Sequence, residues 1–200
     1  MKSLRAPLCL FGLPALLAWL MPASPEVLLH QRSALFAGEW WRLWTGHWVH
    51  FSPSHAGWNL AVLGATGAWL EHLQPGWLIR LAALGAPLIS LILLASEPGM
   101  QAYGGLSALA TGTTVLLALV QLQRPGPGRS WWWAILWLVA AKCGLDAMHP
   151  APLFAGWDQA SLRNSAVAHA AGAAVAATLF LTRSLLAPAL ATSPALPPSP

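Results

Sequence analysis

An all-α protein that threads a lipid bilayer several times is the fold class this sequence predicts, and three observations carry it. Hydrophobic residues make up 56% of the chain and charged residues 8%, against about a quarter charged in soluble domains. A globular domain of 200 residues does not hide that much apolar surface from water, so lipid is the solvent the composition calls for. Six apolar segments follow one another at 6–22, 55–73, 77–95, 106–122, 131–148 and 164–187, each near the ~20 residues that a spanning helix needs. Thirteen tryptophans suit the membrane–water interface, where an indole ring keeps its apolar body in lipid and its N–H in water.

The first segment follows Lys2 and Arg5 and resembles a signal peptide in having a basic start and an apolar run. Yet a cut after Ala23 has no small residue three places upstream, and removal would leave five spans, so a retained first helix is expected. Residues 23–54 form the longest break, amphipathic and rich in tryptophan, which reads as a structured outer loop. The second segment opens with "SPSHAGWN", and the breaks "HLQPGW", "SEPGMQAYGG" and "QRPGPGRS" bound the third and fourth. The fifth contains "AAKCGLDAM" and the sixth "AHAAGAAVAATLF". Residues 1–187 are thus expected to form one transmembrane domain, and 188–200, "PALATSPALPPSP", have the composition of a disordered tail.

Lysine and arginine in the short loops set the orientation. With the N-terminus inside, Lys2, Arg5, Arg80, Arg124, Arg129 and Arg183 lie inside, and only Arg32, Arg42 and Arg163 lie outside. Both termini are therefore expected in the cytoplasm, with the long loop on the outer face. The net charge of +4 is scattered, so no nucleic-acid partner is expected. Cys9 and Cys143 fall in apolar segments and make no metal or redox motif.

The chemistry concentrates in three places. Ser107 opens the fourth segment just after Gly104 and Gly105. A helix over 106–122 is only ~25 Å long, so its start is expected to sit below the outer surface, with the preceding loop dipping inward. The glycines suit a tight turn, and the unpaired N–H groups of the helix start would meet an oxyanion formed on a carbonyl attacked by Ser107. Small residues that merely allow close helix packing explain the same stretch. His169 stands in the outer half of the sixth segment, beside Ala168, Ala170, Ala171 and Gly172. An ionisable group there is costly and marks a functional site; as general base it would take a proton from Ser107. His55 and Asn59 are four apart, so they share a helix face as donors. His47, His50 and His55 leave open a metal-dependent hydrolase, although no HExxH motif, carboxylate or cysteine accompanies them.

"WRLWTGHWVHFSPSHAGWN", "GGLSALATG" and "AHAAG", in that order, resemble the rhomboid family of intramembrane serine proteases from Trp40 to about Leu181. The resemblance implies a six-helix rhomboid-like bundle and a cofactor-free Ser–His dyad: Ser107 as nucleophile, His169 as base, and His55 with Asn59 as the oxyanion pair. It implies structural roles for Trp41, Arg42, His50 and Gly105, and no aspartate; Gly104 and Gly172 are expected to support the site as small residues that allow close approach. Three positions depart from the family pattern: Ala108 and Ala176 replace glycines, and Thr111 replaces a tyrosine that stacks on the histidine. The orientation of His169 must then come from elsewhere.

Lys142 and Asp146 are spaced as an i, i+4 ion pair, which lowers the cost of charge in lipid. In a bare six-helix rhomboid the same pair is similar to the rhombosortases. That likeness implies a bacterial inner-membrane enzyme open to the periplasm, with Lys142 and Asp146 facing the substrate. Its partners would be membrane-anchored proteins ending in a Gly-Gly motif, an apolar helix and a basic end. A protease-dead relative that binds and escorts membrane proteins is the competing reading.

Overall fold

The structure is a computed structural model that describes residues 2–21, 23–148 and 166–191. It is mostly helical. Residues 2–20 form α1, interrupted by a π turn at Leu8–Gly12; α2 (Ser24–Leu28), α3 (Arg32–Phe36) and α4 (Arg42–Thr45) are short. The long helices are α5 (Pro53–Leu73), α6 (Trp77–Ser96), α7 (Ser107–Leu122), α8 (Arg129–Met148) and α9 (Ala166–Ala191). Two strands, β1 (His30–Gln31) and β2 (Ala102–Tyr103), pair antiparallel with His30 opposite Tyr103.

Prolines shape two of these helices. Pro14 and Pro87 lack the N–H that would continue the ladder, and each follows a π turn in which the preceding residue bonds five back: Leu13 N–H to Leu8 O, and Ala86 N–H to Leu81 O. In α6 the carbonyl of Ala83, four residues before Pro87, receives the indole N–H of Trp44 at 3.2 Å instead. The outer loop is fastened to α6 at that point and again where Ser90 Oγ donates to Leu43 O at 2.8 Å.

α7 lies at the centre, buried on nearly every side from Ala108 to Leu122, as expected of a helix that is apolar all round. It packs on α9, α5 and α8. Its buried Thr113 hydroxyl donates to Leu109 O at 2.7 Å, so that hydroxyl is not stranded in the core.

All six apolar segments are helical where described. Among the described residues, however, length and composition alone qualify only Trp77–Ser96 and Ala166–Arg183 as spans; Leu4–Leu20 and Ser107–Leu122 are apolar but shorter. α5 and α8 are long enough, but His55, Asn59, Glu71 and His72 dilute one, and Arg129, Lys142 and Asp146 the other. The last helix runs to Ala191, past the expected boundary at 187. Residues 192–200 of the expected tail lie outside the described residues, as do Asp158 and Arg163.

Candidate active site

The loop before α5 is held by Arg42, which is 4% exposed. Its guanidinium donates to Leu29 O at 2.8 Å, Glu26 O at 2.7 Å and the Glu39 carboxylate at 2.7 Å. Trp41 is exposed and uses its indole N–H on Val27 O at 3.2 Å. These bonds gather residues 26–42 around one fixed fork of donors.

Three connections carry that loop to the start of α7. The β1–β2 pair is one, extended by Arg32 N–H to Gln101 O at 2.9 Å. Gly105 N–H to Gly46 O at 3.2 Å is the second. The third runs through His50: its Nδ1–H donates to Trp48 O at 3.0 Å, and its Nε2 accepts from Leu106 N–H at 3.3 Å. One neutral tautomer makes both bonds. Burial agrees, holding the imidazole down at about 4 against an ordinary 6.5.

α5 starts where Ser52 Oγ accepts the amide N–H of His55 at 3.1 Å and Pro53 takes the first helical position. That cap aims the His55 ring across the chain. It meets the His50 ring at 5.1 Å between centroids and lies against the backbone of Gly105. Gly105 has φ +121°, and a β-carbon there would come within 2.6 Å of His55 Cε1. Only glycine meets both demands. Gly104 is likewise hemmed in by Leu29 and Phe51. One turn along α5, Asn59 is 8% exposed and its Nδ2 has no hydrogen-bond partner. A buried amide donor without an acceptor is costly unless a ligand supplies one.

Ser107 is the first residue of α7 and is partly exposed, while Gly104, Gly105, Leu106 and Ala108 around it are buried. Its hydroxyl has Tyr103 for a neighbour, a residue the sequence reading left out. That phenol, the chain's only tyrosine, donates to Gly105 O at 3.2 Å and so braces the glycine turn. Its place directly before the Gly-Gly pair was the signal available for it.

His169 approaches from α9. Gly172, one turn further along, lies against the backbone of Ala108, and Gly112 against the carbonyl of Gly172. Helices this close need small residues, and Ala108 and Ala176, standing where glycines were expected, are both fully buried in the contact. The seam brings His169 to the start of α7, within electrostatic reach of His55.

A family model for the rhomboid domain matches residues 37–185. The chain belongs to the rhomboid family. It is therefore an integral membrane protein and stands among the intramembrane proteases. No curated protein matches it.

Against the rhomboid pattern, two features of this site stand out. Thr111 turns its hydroxyl back onto Ser107 O at 2.9 Å, in its own helix, so it does not take over the orienting task of the missing tyrosine. Asp146 turns toward His169 on α9. It is 5% exposed, and its Oδ2 accepts from His169 Nδ1–H at 2.6 Å. The Lys142 ammonium donates to the same oxygen at 2.6 Å and stands 3.0 Å from His169 Nδ1. The expected ion pair is present, but it has an imidazole as its third member.

The three loop histidines do not converge. His47 Nε2 faces Ala86 O at 3.0 Å and Ser90 Oγ at 3.1 Å, His50 spends both nitrogens on backbone groups, and His55 leans over Gly105. Among the described residues no group of three His, Cys, Asp or Glu is arranged to hold a metal ion.

Proposed function

We propose that this rhomboid is a serine endopeptidase that cuts membrane-anchored proteins near the outer boundary of the bilayer. What supports the reading is a partly exposed Ser107 at the start of α7, a buried His169 on α9 and an unpartnered Asn59 amide on α5, with α9 and α5 both packed on α7. Each belongs to a different helix, and no packing need explains all three.

In this mechanism His169 Nε2 takes the proton of Ser107 as Oγ bonds to the scissile carbonyl carbon. Asn59, His55 and the amide at the start of α7 hold the oxygen as it becomes negative. The proton then passes to the leaving amine as the C–N bond breaks. A water molecule, deprotonated by the same nitrogen, releases the acyl group and restores Ser107.

The six helical segments form the transmembrane bundle, with both termini in the cytoplasm of a bacterial inner membrane and the site open to the periplasm; the bias of lysine and arginine supports that orientation. The substrates are proteins with a C-terminal Gly-Gly motif, an apolar helix and a basic end, as in rhombosortases. A glycine pair breaks the substrate helix and offers its backbone to Ser107.

The test is cleavage of a tail-bearing substrate by the purified protein in liposomes. Ser107→Ala and His169→Ala should each abolish release of the tail. Cleavage by Ser107→Ala at the wild-type rate would refute the protease reading and leave an escort role or a histidine-bound metal.

A further inference from the structure

We infer that Asp146 is the positioning residue that makes His169 a base, so that the hydrolytic unit of this rhomboid is Ser107–His169–Asp146 with Lys142 behind it. The inference rests on the reading of Ser107 and His169 as nucleophile and base.

One carboxylate oxygen faces two donors. Asp146 Oδ2 lies 2.6 Å from His169 Nδ1 and 2.6 Å from Lys142 Nζ. Lys142 and Asp146 thus form an ion pair through that oxygen. A carboxylate oxygen offers only lone pairs, and so would a bare Nδ1, which makes 2.6 Å repulsive unless Nδ1 carries its proton. The proton on Nδ1 leaves the lone pair on Nε2, the nitrogen that must face Ser107.

Lys142 alone would do the opposite. Its ammonium, 3.0 Å from Nδ1, would donate to a bare Nδ1 and drive the proton to Nε2, where it blocks the base. It would also oppose an imidazolium in the transition state. Asp146 opposes both effects. The carboxylate and the imidazole are each only 4% exposed as side chains, so their attraction is little screened, whereas Lys142 keeps 41% exposure.

The arrangement also answers the departure at Thr111. With that hydroxyl committed to Ser107 O, α7 supplies no side chain from this position to hold the imidazole, and α8 holds it by charge and hydrogen bond instead. During catalysis the Nδ1 proton stays on His169 and Asp146 stays a carboxylate. Only the proton travelling from Ser107 Oγ through Nε2 to the leaving amine moves.

The experiment uses the full chain in liposomes with a fluorogenic membrane-anchored peptide bearing a Gly-Gly tail. Asp146→Asn keeps shape and removes charge. It should lower kcat by roughly 10²- to 10⁴-fold with KM changed less than about threefold. Asp146→Glu should recover at least about tenfold over the asparagine variant, since it restores the charge. Nitrogen NMR of ring-labelled wild-type protein should find His169 protonated on Nδ1, and Asp146→Asn should shift that population toward Nε2. Wild-type kcat in Asp146→Asn, or an Nε2-protonated ring in the wild type, overturns the inference. If Asp146→Asn does not fold, the wild-type ring spectrum decides by itself. Loss of cleavage in Ser107→Ala beside full activity in Asp146→Asn would sink the triad and leave the protease; persisting cleavage in Ser107→Ala would sink the protease itself.

Discussion

Gly172 lies against Ala108 so closely that any side chain on it would overlap the Ala108 carbonyl oxygen. The contact joins the residue after Ser107 to a residue one turn from His169, so it sets the spacing of the two candidate reacting groups. Of the glycine contacts among the described residues it is the tightest.

Gly172→Val should therefore separate α7 from α9. A displacement of about 1 Å costs on the order of 10²-fold in rate, and overpacking costs about 1–3 kcal/mol. Cleavage should fall below detection in the liposome assay, with a lowered melting temperature. Wild-type activity in this variant would mean that the seam does not govern the site.

Asn59 predicts a split between rate and stability. Its Nδ2 has no partner in the resting protein, so Asn59→Ala removes no hydrogen bond of that donor from the folded state. If the amide serves the oxyanion, kcat should drop by about 10²- to 10³-fold while the melting temperature stays within a few degrees. Equal losses in both would point to a packing role.

Arg42 predicts the reverse. Its guanidinium makes three bonds within the outer loop while almost fully buried. Arg42→Ala leaves the carbonyls of Glu26 and Leu29 without that donor, at a cost of about 3 kcal/mol. Arg42→Lys should not rescue it, because an ammonium cannot reproduce the fork. Limited proteolysis between residues 26 and 42 is the direct readout; an unchanged digestion pattern would contradict the role.

Acid should loosen the same loop. Burial holds both His47 and His50 at about 4, against an ordinary 6.5, with His30 facing His47 and the His55 ring beside His50. The unfolded chain takes up these protons below about pH 6.5, and the folded chain resists until about 4, so the stabilisation is whole above 6.5 and is lost as pH falls toward 4. Protonated His50 cannot accept from Leu106 N–H. The melting temperature in detergent should fall by several degrees between about pH 7 and about pH 4.5. His50→Gln should flatten part of that slope, and a flat wild-type profile would contradict the argument.

Much of this molecule was legible without coordinates. Apolar runs bounded by proline and glycine gave the long helices nearly to the residue, because hydropathy and turn chemistry act locally. The shared face of His55 and Asn59 and the pairing of Lys142 with Asp146 followed from helical spacing. The spans are less even than six similar segments suggest, since polar side chains lower the hydropathy of α5 and α8. Helical spacing pairs Asp146 with Lys142, but a carboxylate in an apolar helix does not name its partner on another helix.

The order and extent of the helices, the glycine turn before Ser107 and the residue types available for hydrolysis were thus decided by the sequence alone, through forces that reach one or two turns. Which helix faces lie together was decided by the tertiary structure. Asp146 meets His169 across 23 residues, and Gly172 meets Ala108 across a longer separation, because close packing of whole helices chooses those neighbours. Spacing within one helix follows from its pitch; contact between helices is settled by every side chain along the seam at once.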